Sequence, residues 1–454
     1  MTSIYLQVYR KILEPLWEEK VRKRRTLEYE HRLIESQWLP EEDIQSIQWQ
    51  ELQKLLVHSE KECPYWQKAF EATGLHARDI VSYEQFRSLP LTTKPIIRKN
   101  YNDLIARSYR GRTWQKSTGG STGTPLHFEY TPESDQWRQA VTRRGYAWAG
   151  ATGGVKQAYI WGASLNKVPL LQRLKQSLHH MILRHRYFNS FSCDQESMLR
   201  WLKEIENFKP KVIIGYTNPL YTFAKFINSQ PSAARIQPDS IITAAENLFG
   251  HQREEIEKAL HAPIFHSYGS REFMLIAMEC EKHEGMHISA ENLFVEILRE
   301  DGTPAAPGEE GRVVITDLHN YGMPFIRYDI GDLAVWSGNA CSCGRGLPML
   351  EKISGRILDI IRTPDGKNVP GEFFPHLMKD FKEIKQFQVI QEELDKLTVK
   401  LVTLDGMSEE SLGRIEKHVT EIMGGNCSIN YEFVDDIPLT QTGKHRVTMS
   451  LLPH

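Results

Sequence analysis

A chain of 454 residues exceeds what one hydrophobic core supports, since single cores stop growing at about 250–300 residues, so two or more domains are expected. Apolar residues make up 40% and aromatic residues 10%, as in a well-packed globular protein. A net charge of −2 gives no overall field that would draw the chain to nucleic acid or an anionic bilayer, so an anionic ligand must be held by local groups.

Within residues 1–25, Arg10, Lys11, Glu14, Glu18, Glu19, Lys20 and Arg22 interrupt every apolar run. Neither a signal peptide nor a membrane span is expected there, and no run of about eighteen apolar residues occurs elsewhere. Cysteines 63, 193, 280, 341, 343 and 427 are too sparse for a disulfide scaffold. Reduced thiols in a cytoplasmic protein are expected, with any cluster of them reading as a metal site.

Residues 1–110 read as helical, with apolar positions at helical spacing over Tyr5 to Leu27 and Glu41 to His58, and Pro15 kinking or splitting the first. The middle third alternates strands and helices. Lys211 to Gly215, Ser240 to Thr243 and Ala262 to His266 read as strands. A helix capped by Asn218 and opened by Pro219 follows the first, and one over His251 to Leu260 follows the second. This repetition predicts a parallel sheet with helices on its faces.

From about 292 to 350 the style becomes antiparallel, with strands over Leu293 to Arg299, Gly311 to Asp317 and Leu333 to Trp336. After Gly355-Arg356 a smaller α/β unit is expected. Its strands are Gln386 to Gln391, Leu397 to Leu404 and Ser428 to Phe433, with an amphipathic helix over Glu409 to Met423. The fold class is therefore α/β: a large domain, residues 1–355, of mixed sheets with covering helices, and a small mobile lid, residues 356–454.

The densest local signal is Lys116-Ser117-Thr118-Gly119-Gly120-Ser121-Thr122-Gly123-Thr124-Pro125. Its three glycines let the backbone approach a ligand and turn successive N–H groups toward phosphate oxygens, and five hydroxyls add donors. No lysine follows Gly123, so this is not the loop that serves γ-phosphate transfer, and the pattern points to chemistry at the α-phosphate. Taken alone, the segment also reads as a Ser/Gly linker.

Further motifs follow in order: Ala244-Ala245-Glu246, Tyr268-Gly269-Ser270-Arg271-Glu272, Arg327-Tyr328-Asp329-Ile330-Gly331-Asp332, Gly355-Arg356 and Pro438-Leu439-Thr440-Gln441-Thr442-Gly443-Lys444. Together with the loop they resemble the signature segments of the adenylate-forming superfamily of acyl- and aryl-CoA ligases. Tyr268 to Phe273 and the Cys-x-Cys-Gly-Arg segment look closest to the phenylacetate–CoA ligase-like branch, near the CapK-type proteins of capsular polysaccharide biosynthesis. The resemblance implies ATP-dependent activation of a small-molecule carboxylic acid to an acyl adenylate with pyrophosphate release, then transfer to coenzyme A.

It also implies roles. The loop from Lys116 to Thr124 holds phosphate, and Ala245 and Glu246 line the adenine with Tyr268 and Gly269 beside them. Glu272 binds Mg²⁺, Asp332 and Arg356 take the ribose, and Lys444 is the catalytic cation. Elementary chemistry agrees: a carboxylate suits the hard Mg²⁺ ion, an aspartate suits a vicinal diol, and a mobile ammonium neutralises charge as the mixed anhydride forms. Each residue taken singly also reads as an ordinary surface charge.

Two departures stand out. Arg271 occupies the place of a small hydroxyl residue, and the hinge carries Leu358-Asp359 where the family has two acidic residues. Leu358 leaves open an amine or hydroxyl acceptor, such as a sugar in surface-polysaccharide synthesis. A non-catalytic nucleotide-binding protein of this fold is a further alternative. Gly366 offers a flexible site near the expected path of a pantetheine arm.

Cys341-Ser342-Cys343-Gly344-Arg345 places two thiolates on a tight turn. With Cys280 and a histidine, His287 in preference to His283, they form a candidate closed, structural Zn²⁺ site; ordinary reduced cysteines are the alternative. Trp137, Trp148 and Trp161 read as core residues sooner than as walls of an acyl pocket.

Overall fold

The computed structural model describes residues 4–117, 126–162, 170–190, 195–230, 236–356, 361–365, 368–369, 373–378, 381, 383–404, 406–425, 427–438 and 448–452. It has the α/β architecture expected. Two compact units are present: Met1–Ile330 with Val335–Lys352, and Gly331–Ala334 with Ile353–His454.

The larger unit begins with helices, and the stretch from Tyr5 to Leu27 is divided into separate runs with Pro15 between two of them. A short α-helix, Ile4–Val8, passes into two π-helical runs, Tyr9–Leu13 and Leu16–Val21, on either side of Pro15. The chain then leaves the helix and restarts at Thr26–Ser36. Proline lacks the N–H that would continue an α-ladder through this point. The next helix, Glu41–Glu62, runs four residues past His58 and buries Leu52, Leu55 and Leu56 completely.

Strands β1 (Trp114–Ser117) and β2 (His127–Tyr130) pair antiparallel, with Lys116 opposite Phe128. The central sheet then collects β3 (Gln157–Trp161), β4 (His185–Asn189), β5 (Val212–Tyr216), β6 (Ser240–Ala244) and β7 (Ile264–Ser270). They pair in parallel in the order β4-β3-β5-β6-β7. Ile213, Ile214, Ile241 and Ile242 are 0% exposed, as covering a parallel sheet on both faces requires.

At β7 the sheet changes sense. Its other edge pairs antiparallel with β8 (Met274–Glu279), which pairs with β9 (Met286–Ile288). Strands β10 (Leu293–Leu298), β11 (Glu310–Asp317), β12 (Tyr328–Trp336) and β13 (Met349–Arg356) complete an eleven-stranded order, β10-β11-β12-β13-β9-β8-β7-β6-β5-β3-β4.

The smaller unit holds β14 (Ile361–Arg362) paired with β15 (Asn368–Val369). Beside them lies a four-stranded sheet of β16 (Ile384–Glu393), β17 (Lys396–Thr403), β18 (Ser428–Phe433) and β19 (Thr448–Ser450), ordered β18-β17-β16-β19. The helix Glu409–Met423 buries Ile415, Val419 and Met423 with Val389, Leu397, Val399 and Leu401 of that sheet. Among the described residues no helix is long and apolar enough to cross a membrane.

Candidate active site and candidate metal centre

In open parallel sheets, ligands gather beyond the carboxyl ends of the strands. Here β3 ends at Trp161, β5 at Tyr216, β6 just before Ala245-Glu246, and β7 passes through Tyr268 and Gly269. Trp161 and Tyr216 lie with ring centroids 4.4 Å apart. Trp161 thus stands at this edge, whereas Trp137 is stacked between Tyr29 and His319 at 4.3 and 3.9 Å.

Ala245 adopts φ +69, a left-handed conformation that costs a non-glycine residue energy and turns the chain sharply at the strand end. Glu246 then reaches the helix Thr217–Ser229: its Oε2 accepts the Asn218 N–H at 2.8 Å, and its carbonyl accepts the Thr217 hydroxyl at 3.1 Å. The helix therefore starts one residue before Asn218, and the Asn218 side chain is not its cap. A carboxylate from the bend after β6 satisfies the helix N-terminus instead.

Gly269 sits at a register shift where β7 meets β8. A Cβ there would lie 2.1 Å from the Met274 carbonyl oxygen, so only glycine lets the strands close over this irregularity. The turn that follows buries Glu272 to 4% exposure and leaves Arg271 exposed. The Tyr328 hydroxyl donates to Glu272 Oε1 at 3.2 Å. That is the one hydrogen bond of the Glu272 carboxylate among the described residues, so its remaining lone pairs suit a hard cation such as Mg²⁺.

Lys116 reaches this region from β1. Its Nζ lies 4.6 Å from the centroid of the Tyr130 ring, and the Arg138 guanidinium lies 5.0 Å from the same ring. Burial lowers the Lys116 pKa; Arg138 and Arg271 lower it further, against the pull of Asp135. Burial raises the Tyr216 pKa, with Glu246 acting upward and Arg271 downward. Arg271 therefore lies within electrostatic reach of both Lys116 and Tyr216, and Glu246 within reach of Tyr216.

Ser117 closes β1; Thr118, Gly119, Gly120, Ser121, Thr122, Gly123, Thr124 and Pro125 lie outside the described residues, as do Leu358, Asp359, Gly366 and Lys444. In the smaller unit, Asp332 is 6% exposed on β12 and follows Gly331 at φ +81. Arg356 ends β13, of which the backbone is described.

The arginine of the Arg327-Tyr328 motif is structural. It is 4% exposed, pairs with Glu296 at 3.1 Å, and donates to the Leu89 carbonyl at 2.7 Å. Sequence reasoning missed Tyr130, Tyr216 and Tyr328 as site residues. Only Tyr328 had a signal, since it stands inside a quoted motif.

The second cluster is also in the larger unit. Cys280 follows β8, His287 lies on β9, and Cys341 and Cys343 occupy the turn between β12 and β13; their ligand atoms lie within 4.8 Å of one another. Cys280 and Cys341 sulfurs are 3.6 Å apart, and Cys343 Sγ is 3.3 Å from His287 Nε2. His287 Nδ1 faces the Leu347 carbonyl at 3.3 Å, which makes Nδ1 the donor and leaves the Nε2 lone pair toward the thiols.

His283 is turned away and bonds Glu279 at 3.1 Å. Gly285 at φ +151, where a Cβ would meet the Leu350 carbonyl at 2.7 Å, lets the hairpin turn tightly enough to present His287. Main-chain N–H groups of Lys282 and Arg345 point at the Cys280 and Cys343 sulfurs at 3.5 and 3.4 Å. Three thiols and one imidazole form a soft donor set, which fits Zn²⁺.

Comparison with known proteins gives first the class. The chain matches the crystal structure of 2-hydroxyisobutyryl-CoA ligase in the postadenylation state, in complex with R3-HIB-AMP, with a TM-score of 0.70 at 18% identity, covering 91% of each chain. The fold is that of the adenylate-forming CoA ligases.

Sequence relatives narrow it. Protein CapK of Staphylococcus aureus is 23% identical over 420 residues, covering 90% of this chain and 89% of its own. Phenylacetate-coenzyme A ligase of Escherichia coli is 27% identical over 379 residues, covering 79% and 82%. Residues 361–450 match the family model of the CapK C-terminal domain. The resemblance to the phenylacetate–CoA ligase-like branch of the adenylate-forming superfamily is thus borne out, with CapK among the relatives.

Proposed function

We propose that this chain is an AMP-forming acid–thiol ligase that activates a carboxylic acid with ATP and passes the acyl group to coenzyme A. The observation that carries the reading is the placing of Glu246, Tyr268 and Glu272 at the carboxyl ends of the parallel strands β6 and β7 in a chain whose relatives include such ligases.

In the first step a carboxylate oxygen attacks the α-phosphorus of ATP. A phosphorus–oxygen bond forms, the bond to the bridging oxygen breaks, and pyrophosphate leaves with the electron pair. In this reading Lys116 and the Ser117–Thr124 loop hold the phosphates, Glu272 holds Mg²⁺, and Glu246, Tyr268, Asp332 and Arg356 place the nucleoside. Lys444 neutralises the charge that develops between the carboxylate and the α-phosphate. In the second step the thiolate of coenzyme A attacks the acyl carbon and AMP departs. Trp161 and Tyr216 form one wall of the acid pocket. A reducing, cytoplasmic setting suits both the cosubstrate and the free thiols.

A pyrophosphate-release screen over aryl, short-chain and hydroxy acids tests the first step, and product analysis with and without coenzyme A tests the second. No release with any acid would leave a nucleotide-binding protein of this fold. The resemblance to CapK-type proteins keeps a second acceptor in view, an amine or hydroxyl such as that of a sugar in surface-polysaccharide synthesis. Acyl transfer to such an acceptor without coenzyme A would establish it. Zn²⁺ at Cys280, His287, Cys341 and Cys343 closes the turn before β13 as a structural ion; about one zinc per chain by metal analysis, lost in Cys343→Ser, is the expected result.

A further inference from the structure

The N-terminal segment is anchored on one side only. Tyr9 is 4% exposed, packed over Gly153 and Gly154, and Glu14 bonds Arg143 at 2.8 Å. On its outer side Ile4, Ile12, Leu16 and Val21 are 81%, 57%, 52% and 58% exposed. With Val8, 40% exposed, they recur every four or five residues, a spacing that suits the mixture of α and wider π turns.

The helix Leu170–Leu183 lies against this segment: the Tyr5 hydroxyl bonds the Ile182 carbonyl, and Trp17 stacks on His179 at 5.5 Å. It too turns apolar residues to solvent, with Leu174, Leu178, Met181 and Ile182 at 60%, 54%, 67% and 40% exposure. Those positions, i, i+4, i+7 and i+8, form one helical face. An amphipathic helix in a globular protein normally buries that face. Ten exposed large apolar residues on two touching segments make a patch that marks a docking surface.

The charge around the patch selects the partner. On and just after the first segment the exposed cations Lys11, Lys20, Arg22 and Lys23 form no salt bridge among the described residues and outnumber Glu18 and Glu19, and Lys175 on the helix and Arg186 on β4 extend the positive rim. Between Leu170 and Asn189 the sequence contains no aspartate or glutamate. A second copy docking by a two-fold axis would set this patch against itself, cation facing cation. An anionic lipid surface supplies the complement to both features: apolar side chains enter the acyl boundary, lysine and arginine reach the headgroups, and Trp17 suits the interface.

We propose that the paired segments Ile4–Val21 and Leu170–Leu183 form a peripheral membrane-docking surface for an anionic phospholipid bilayer. The inference stands apart from the ligase reading, because none of these residues touches the candidate active site.

The test is sedimentation of the full chain with vesicles of phosphatidylcholine alone and of phosphatidylcholine with an equal part of phosphatidylglycerol, at about 0.1 M salt, where surface charges still act over about 10 Å. Binding at least tenfold stronger to the anionic vesicles is expected. Ile12→Glu/Leu178→Glu should reduce it about tenfold or more, Lys20→Glu/Lys23→Glu should remove the preference for anionic lipid, and acid-dependent ATP–pyrophosphate exchange should stay unchanged in both. If the Glu pair does not fold, the milder Met181→Ser/Leu178→Ser should still weaken binding. Failure to bind anionic vesicles, or equal binding by the variants, overturns the proposal. So does a concentration-dependent dimer in sedimentation velocity that Leu178→Glu dissociates, which would assign the face to a second copy.

Discussion

Removing the Asp317 carboxylate should be among the most damaging changes outside the reacting groups. Arg138 Nη2 lies 2.7 Å from Asp317 Oδ2, and both side chains are 0% exposed. Arg138 Nε and Nη1 have no hydrogen-bond partner among the described residues, so the guanidinium depends on this one carboxylate and the face of Tyr130. Breaking a buried pair from one side leaves an uncompensated charge, which costs about 3–5 kcal/mol. Against a total stability of roughly 5–15 kcal/mol that is a large fraction.

Asp317→Ala should therefore lower the urea midpoint sharply when unfolding is followed by tryptophan fluorescence. Replacing both groups by apolar ones of similar size, Arg138→Met/Asp317→Leu, should recover most of the loss, because neither charge then remains buried. The same ring carries Lys116, so Asp317→Ala should also weaken ATP binding. A cost below about 1 kcal/mol for Asp317→Ala, or a double variant as unstable as the sum of the singles, would refute the reasoning.

Three further outcomes follow from the geometry. Gly269→Ala must part β7 from β8 at the Met274 carbonyl, displacing Glu272; pyrophosphate exchange should fall by about 10²-fold, as expected for a displacement near 1 Å, and wild-type exchange in this variant would contradict the assignment. Tyr328→Phe removes the hydroxyl on Glu272 Oε1, and the Mg²⁺ concentration for half-maximal exchange should change by about tenfold with the fold intact by circular dichroism.

Burial depresses the His266 pKa to about 4, with Glu279 acting against and Arg253 with the shift, while Nδ1 lies 3.0 Å from the Thr243 hydroxyl. The unfolded chain takes up the proton first. Stability is thus full above about pH 6.5 and is lost as pH falls toward 4, by about 1–2 kcal/mol at pH 5. His266→Gln should flatten that dependence in urea titrations at pH 7.5 and 5.

Where one local pattern suffices, the sequence and the structure agree closely. The apolar run of β5 and β6 announces a covered parallel sheet, and the helix Glu409–Met423 and strand Ser428–Phe433 fall at the bounds their periodicity sets. The motifs likewise draw the eye to Ala245 and Gly269, where the backbone turns at a strand end and at a register shift. What stayed hidden depends on distant partners. Nothing local marks Arg138 and Arg144 as buried, yet they are 0% and 1% exposed, held by Asp317 of β11 and by Glu291 between β9 and β10. Asn218 reads as a cap, yet Glu246 does that work from the bend after β6. Strand β4, His185–Asn189, has no alternation to betray it. Net charge misleads in the same way: −2 over the whole chain conceals a positive rim around an apolar face.

The central claim is adenylation, and acid-dependent exchange of labelled pyrophosphate into ATP measures it without the acceptor step. With the cognate acid and Mg²⁺, the intact chain should catalyse exchange in the absence of coenzyme A, and Lys444→Ala should reduce it by at least about 10²-fold while ATP still binds. Exchange that persists undiminished in Lys444→Ala would contradict the account.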